Sequence, residues 1–144
     1  MASLPQNTRL TKDINRVYEL GNINELPIAG SQVIYQGAAI GCNSSGYAKS
    51  LENGDIFAGF AEDNVNNSAG LDGDKKIRLR KKGAILLDVA GVGLSDIGRP
   101  VYAIDDNTFT LSSTNAVYIG KISRIESIGF ALVDFASYAP APFI

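Results

Sequence analysis

Between Lys75 and Lys82 the side chains alternate, Ile77 and Leu79 against Lys76, Arg78 and Arg80, which is the period of two that buries one face of a strand and solvates the other. Similar short patterns recur along the chain. Gln32 to Cys42 reads as a strand interrupted at Gly37, where a bulge or a close backbone approach is expected. Asn43-Ser44-Ser45-Gly46 is a turn signal, and Tyr47 to Ser50 is its returning strand. Asn53-Gly54 then opens the strand Asp55 to Glu62. Phe57 and Phe60 cannot share one side of a regular strand, so Gly59 is expected to supply an irregularity.

Asn64 to Gly73 reads as a surface loop ending in the turn Leu71-Asp72-Gly73-Asp74. After the cationic strand, Gly83 permits a kink into Ala84 to Val89, and Ala90 to Gly98 is a loop of small apolar residues. Arg99-Pro100 limits the next strand to Val101 to Ile104; Asp105-Asp106-Asn107 turns it onto Thr108 to Leu111. Two more strands are expected at Val117 to Ile122 and Ile128 to Phe135. Such spacing predicts an all-β chain, a compact antiparallel β-barrel or β-sandwich of about 8–10 short strands.

The ends differ. Residues 1–28 mix polar residues with isolated Leu and Ile between Pro5 and Pro27 and lack a helical stripe, so they read as an extended N-terminal arm. Within the arm, Val17 to Gly21 has the composition of a short strand that pairs when a neighbour is present. Residues 29–136 form the β domain, and 137–144 form a short extended C-terminal tail with Pro140 and Pro142 at alternate positions. An apolar fraction of 45% over 144 residues suits one globular core, and 15 glycines suit frequent turns.

Charge and chemistry narrow the function. A net charge of -2 gives no general basis for phosphate binding, and the basic stretch lacks interleaved aromatics, so no nucleic-acid partner is expected. The chain has no histidine, which removes His-dependent triads, Cys–His pairs and His-ligated zinc. Its single cysteine, Cys42, sits in an apolar strand and reads as a small buried hydrophobe; synthesis in a reducing cytoplasm is expected. The close acid pairs Glu62–Asp63, Asp72–Asp74 and Asp105–Asp106 fall at turns or strand ends, where carboxylates cap backbone groups. No phosphate loop, dinucleotide fingerprint or full calcium loop is present, so no enzyme activity, cofactor, metal or small-molecule substrate is expected. No apolar stretch approaches bilayer-spanning length, so no membrane partner is expected.

What remains is surface. Lys75 to Lys82 holds six of the chain's 13 Lys and Arg residues and none of its acids. With Lys76, Arg78 and Arg80 on one face it would meet an acidic partner surface, or simply stay solvated. Val17, Tyr18, Leu20, Ile23 and Leu26 in the arm, and Tyr138, Phe143 and Ile144 in the tail, are more apolar than solvated ends require. These eleven residues are the expected contacts with a partner or a neighbouring copy.

The order of motifs resembles the capsid decoration, or cement, proteins of tailed bacteriophages. The motifs are YELGNINELPIAG (18–30), QVIYQGAAIG (32–41), GDIFAGFAE (54–62), GDKKIRLRKKG (73–83), IGRPVYAIDDNTFTL (97–111), VYIGKI (117–122) and GFALVDF (129–135). Their order over about residues 17–135 carries the likeness. It implies a head-stabilising virion protein on the outer capsid surface, a homotrimer at three-fold or quasi-three-fold sites that bridges major capsid protein subunits, with no catalytic residues. The alternative from the residues is a carbohydrate- or receptor-binding β module, which usually needs exposed aromatics; the chain has six Tyr and no Trp.

Overall fold

The structure, a computed structural model, describes residues 21–137. Among them are twelve strands, one 3-10 turn at Leu94–Asp96 and no α-helix: β1 Ile23–Pro27, β2 Gln32–Ile34, β3 Ala39–Cys42, β4 Ala48–Ser50, β5 Ile56–Ala61, β6 Val65–Asn67, β7 Lys76–Arg80, β8 Lys82–Asp88, β9 Pro100–Asp105, β10 Thr108–Thr110, β11 Val117–Ser127 and β12 Phe130–Ala136. The chain is all-β and every strand pairing is antiparallel.

Two five-stranded sheets and one two-stranded sheet stack in a sandwich-like arrangement. The first sheet runs β1-β7-β5-β3-β4, the second β10-β9-β11-β12-β8, and β2 pairs with β6. Over β3 and β5 the first sheet is apolar on both faces. Ile40, Ala58, Ile77 and Leu79 pack with Ile28 and Ile34 on one side, while Ala39, Phe57 and Phe60 pack with Val101, Ile119, Val133 and Phe135 on the other. At one end of each large sheet a single parallel bridge joins the chain beside its two outer strands, at Ile28–Ala48 and Val89–Phe109. Fully burying an aliphatic or aromatic side chain contributes about 1.5–3 kcal/mol, so this double-sided burial is the main stabilising term.

Local chemistry explains several elements. Asn43 Oδ1 accepts hydrogen bonds from the Ser45 and Tyr47 amides at 3.0 Å each, closing the β3–β4 hairpin where the turn signal lay. In β5 the ladder to β3 slips between Ile40 and Gly41, and Gly59 sits at φ 139°. That irregularity puts Phe57 and Phe60 in the same core, ring centroids 5.7 Å apart and edge-on.

Five expectations need correction. The run 32–42 is not one bulged strand: it breaks at Tyr35–Ala38, with Gly37 at φ 91°, and its halves join different sheets. The expected loop 64–73 contains β6, because Val65, Asn66 and Asn67 form a ladder with Ile34, Val33 and Gln32 of β2; Asn67 is also buried, and its Nδ2 donates to the Ala29 and Leu71 carbonyls, both at 3.1 Å. The break after the cationic strand falls at Lys81, before Gly83, and it switches the chain from the first sheet to the second. β11 extends to Ser127, so Ile128 is not in a strand but at a hairpin tip, 90% exposed. Finally, the arm ends earlier than residue 28: β1 pairs along its whole length with β7, and Ile28 is fully buried. With β1, β6 and the divided run, twelve strands replace the expected 8–10.

Candidate functional site

β7 is positioned by burial. Ile77 and Leu79 are fully buried in the core beneath it, so the strand's period of two leaves Lys76, Arg78 and Arg80 exposed on the other face. In the ladder to β1, Ile23 lies opposite Arg80, Glu25 opposite Arg78 and Pro27 opposite Lys76, so these side chains share the cationic face. Leu26, opposite Ile77, points the other way and packs against the core. It is a structural residue, whereas Ile23, 38% exposed, stays on the open face. Among the described residues the only ion pair made by this basic stretch is Arg80 Nε with Glu62 Oε1; Lys75 Nζ donates to the Asn66 carbonyl at 2.6 Å.

The chain enters and leaves the described domain at the same place. The Lys81 amide donates to the Asn22 carbonyl at 2.7 Å, and the Ser137 amide donates to the Lys81 carbonyl at 2.8 Å. Residues on both sides of the domain are therefore tied to one cationic residue, flanked by Arg80 and Lys82. Val17, Tyr18 and Leu20, and Tyr138, Phe143 and Ile144, lie outside the described residues, but the points from which their segments depart are fixed. No sequence pattern carries this convergence, since it depends on β1 and β12 lying beside the β7–β8 corner.

A cleft of about 280 Å³ opens beside this corner, between the sheets, lined by Gln36, Gly37, Phe60, Ala61, Glu62, Arg80, Ala84, Ile85 and Phe135. Its lining comes from five separate stretches of chain, so nothing local in the sequence signals it. A second recess, about 530 Å³, is lined by Tyr35, Gln36, Gly37, Ala38, Asp106 and Asn107, and Tyr35 is 68% exposed.

The acids serve the backbone. Asp72 Oδ1 accepts from the Gly30 amide at 2.7 Å, Asp74 Oδ2 from Leu71 at 2.9 Å and Asp105 Oδ1 from Asn107 at 2.9 Å. No group of three or more His, Cys, Asp or Glu residues that could hold a metal ion, and no helix long and apolar enough to cross a membrane, occurs among the described residues. Cys42 lies half-buried in β3; burial, and secondarily the charge of Asp55, pushes its thiol above the usual value. At pH 8 iodoacetamide should therefore label native Cys42 about ten-fold more slowly than the urea-unfolded chain. Equal rates in the two states would contradict that placement.

Compared with known proteins, the chain matches no family model and no curated protein.

Proposed function

We propose that this chain is a non-enzymatic virion structural protein that binds the outer surface of an assembled phage capsid and stabilises it by bridging major capsid protein subunits, as a trimer at three-fold or quasi-three-fold sites. The single observation that supports this most is the convergence at Lys81, which gathers the basic face and the roots of both terminal segments at one corner. A protein that docks by extended segments needs them to leave from the side facing its partner. The cationic face suits an acidic partner surface, for steering and register more than for raw affinity. Many copies on a lattice compensate for a modest single contact.

Co-sedimentation with assembled capsids tests the reading. Deleting residues 1–20 is expected to leave the melting transition in place and to abolish attachment, because β1 is spared. Deletion through residue 26 would instead remove most of β1 and uncover the Ile77–Leu79 side of the core. Lys76→Glu with Arg78→Glu is expected to weaken attachment about ten-fold at low salt, and less at high salt. Normal attachment by both variants, or no added surface density in electron cryo-microscopy of particles carrying the chain, would sink the proposal.

The exposed ring of Tyr35 beside Gln36, Asp106 and Asn107 favours one second reading, a carbohydrate-binding β module, because an aromatic face with flanking amides and a carboxylate suits a sugar ring. Micromolar binding on a glycan array, lost in Tyr35→Ala, would select it.

A further inference from the structure

We propose that the open edge of β8 receives, as an added strand, the segment Tyr138–Ile144 of a second copy of this chain. The assignment goes beyond the capsid reading and stands without it.

The edge comes first. β8 ends the order β10-β9-β11-β12-β8 and, among the described residues, forms its ladder with β12 alone until Val89 bridges to Phe109. The bonds from Ser137 to the Lys81 carbonyl and from Val89 to the Gly129 carbonyl, 2.8 Å each, fix which residues face β12. In an antiparallel ladder these alternate, so positions 83, 85, 87 and 89, with the carbonyl of Lys81, face β12 and its flanks, while the Lys81 amide is taken by Asn22. Ala84 and Leu86 therefore turn their N–H and C=O groups to the open side. An edge whose groups have no partner among the described residues, with an exposed apolar side chain, Leu86 at 52%, is a template for strand addition. The inter-sheet cleft lies against this edge, with Phe60, Ile85 and Phe135 among its apolar lining. The rim's Arg80 and Glu62 neutralise each other, so an uncharged guest fits.

Tyr-Ala-Pro-Ala-Pro-Phe-Ile has no charged side chain, and its sequence is one-sided. In an extended chain, residues 139, 141 and 143 direct their N–H groups to one edge, and Pro140 and Pro142 fall on the other, where neither has one to give. Such a strand can pair with β8 and cannot be extended by another strand. The same alternation puts the side chains of Ala139, Ala141 and Phe143 on one face, which offers an aromatic ring to the cleft.

The donor is another copy because of direction. Ser137 leaves on the β12 side of β8, so the chain's own tail would have to cross over the Arg80–Lys82 backbone. It would then run parallel to β8, a geometry that needs a crossover of about a dozen residues. A tail from a neighbour can approach antiparallel. A contact of this heterologous kind closes into a ring or continues as a filament.

Full-length chain without capsids tests the inference by hydrogen exchange and sedimentation. The amides of Ala84 and Leu86 are expected to be protected in a concentration-dependent way and to lose about 100-fold of that protection when residues 138–144 are deleted, while Ile85 and Leu87 stay protected in both. Ala141→Pro, which removes a donor on the pairing side, should match the deletion. Mixing Leu86→Pro chain, which keeps a tail, with the tail-deleted chain, which keeps an edge, should restore an association that neither shows alone. If Leu86→Pro does not fold, the exchange pattern still decides. Protection of Ala84 and Leu86 that does not depend on concentration, or that survives deletion of the tail, would overturn the proposal.

Discussion

Phe60→Ala is expected to lower the unfolding free energy by about 3–5 kcal/mol, the cost of emptying a large aromatic site in a core that cannot collapse around it. The ring is nearly fully buried and is the hub of an aromatic group, with centroids 4.8 Å from Phe135, 5.7 Å from Phe57 and 6.2 Å from Phe109. Those partners come from β5, β10 and β12, so the loss would loosen the contact between the two large sheets instead of one strand. Phe109→Leu, which keeps most of the volume, should cost less than about 1.5 kcal/mol. Urea unfolding followed by fluorescence or circular dichroism would measure both. A Phe60→Ala cost below 1 kcal/mol, at unchanged urea dependence, would mean that the sheets are not held by this cluster.

Gly59 should be as intolerant, for a different reason. A Cβ there would overlap the carbonyl oxygen of Arg80 and meet Leu79 Cδ1 at 3.1 Å, and the backbone is at φ 139°. Gly59→Ala must move β5 away from β7 or abandon the bulge that turns Phe57 and Phe60 to one side. A loss of about 4 kcal/mol or more is expected, enough to leave much of the chain unfolded. Two other glycines separate strain from space. Gly129→Ala, at φ 89° with nothing near its Cβ, should cost only the left-handed backbone penalty of about 1–2 kcal/mol. Gly93→Ala, extended and open, should be nearly neutral. If Gly59→Ala melts alongside Gly93→Ala, the close approach of β5 to β7 is wrong.

Gly59 also shows why much of the fold was readable from the chain. Two phenylalanines three positions apart demand an irregular strand, and a glycine between them makes one affordable in steric terms. The same holds for Ile77 and Leu79, whose alternation with cations needs no tertiary knowledge. Legibility failed where distant chain decides the outcome. β1 carries Asn24 and Glu25 and looks like a solvated arm; it becomes a strand because β7 offers it a ladder. Val65–Asn67 looks like a loop until β2, about thirty residues earlier, offers it a ladder, with Asn67 also donating to the Ala29 carbonyl. Leu26 was expected at a partner surface for its apolarity alone, and its position opposite Ile77 turns it inward. For the candidate site, the cationic face was legible and the cleft beside β8 was not, because its lining is assembled from both large sheets.

The hydrogen bonds at Lys81 also have a mechanical meaning. If the chain were pulled at Asn22 and at Ser137, the shortest route between the two points would be the hydrogen bonds that join each of them to Lys81. Neither hydrophobic core would lie in the load path. Opposed forces on those two points would load the Lys81 hydrogen bonds first, as two legs drawn from one hole load a rivet head.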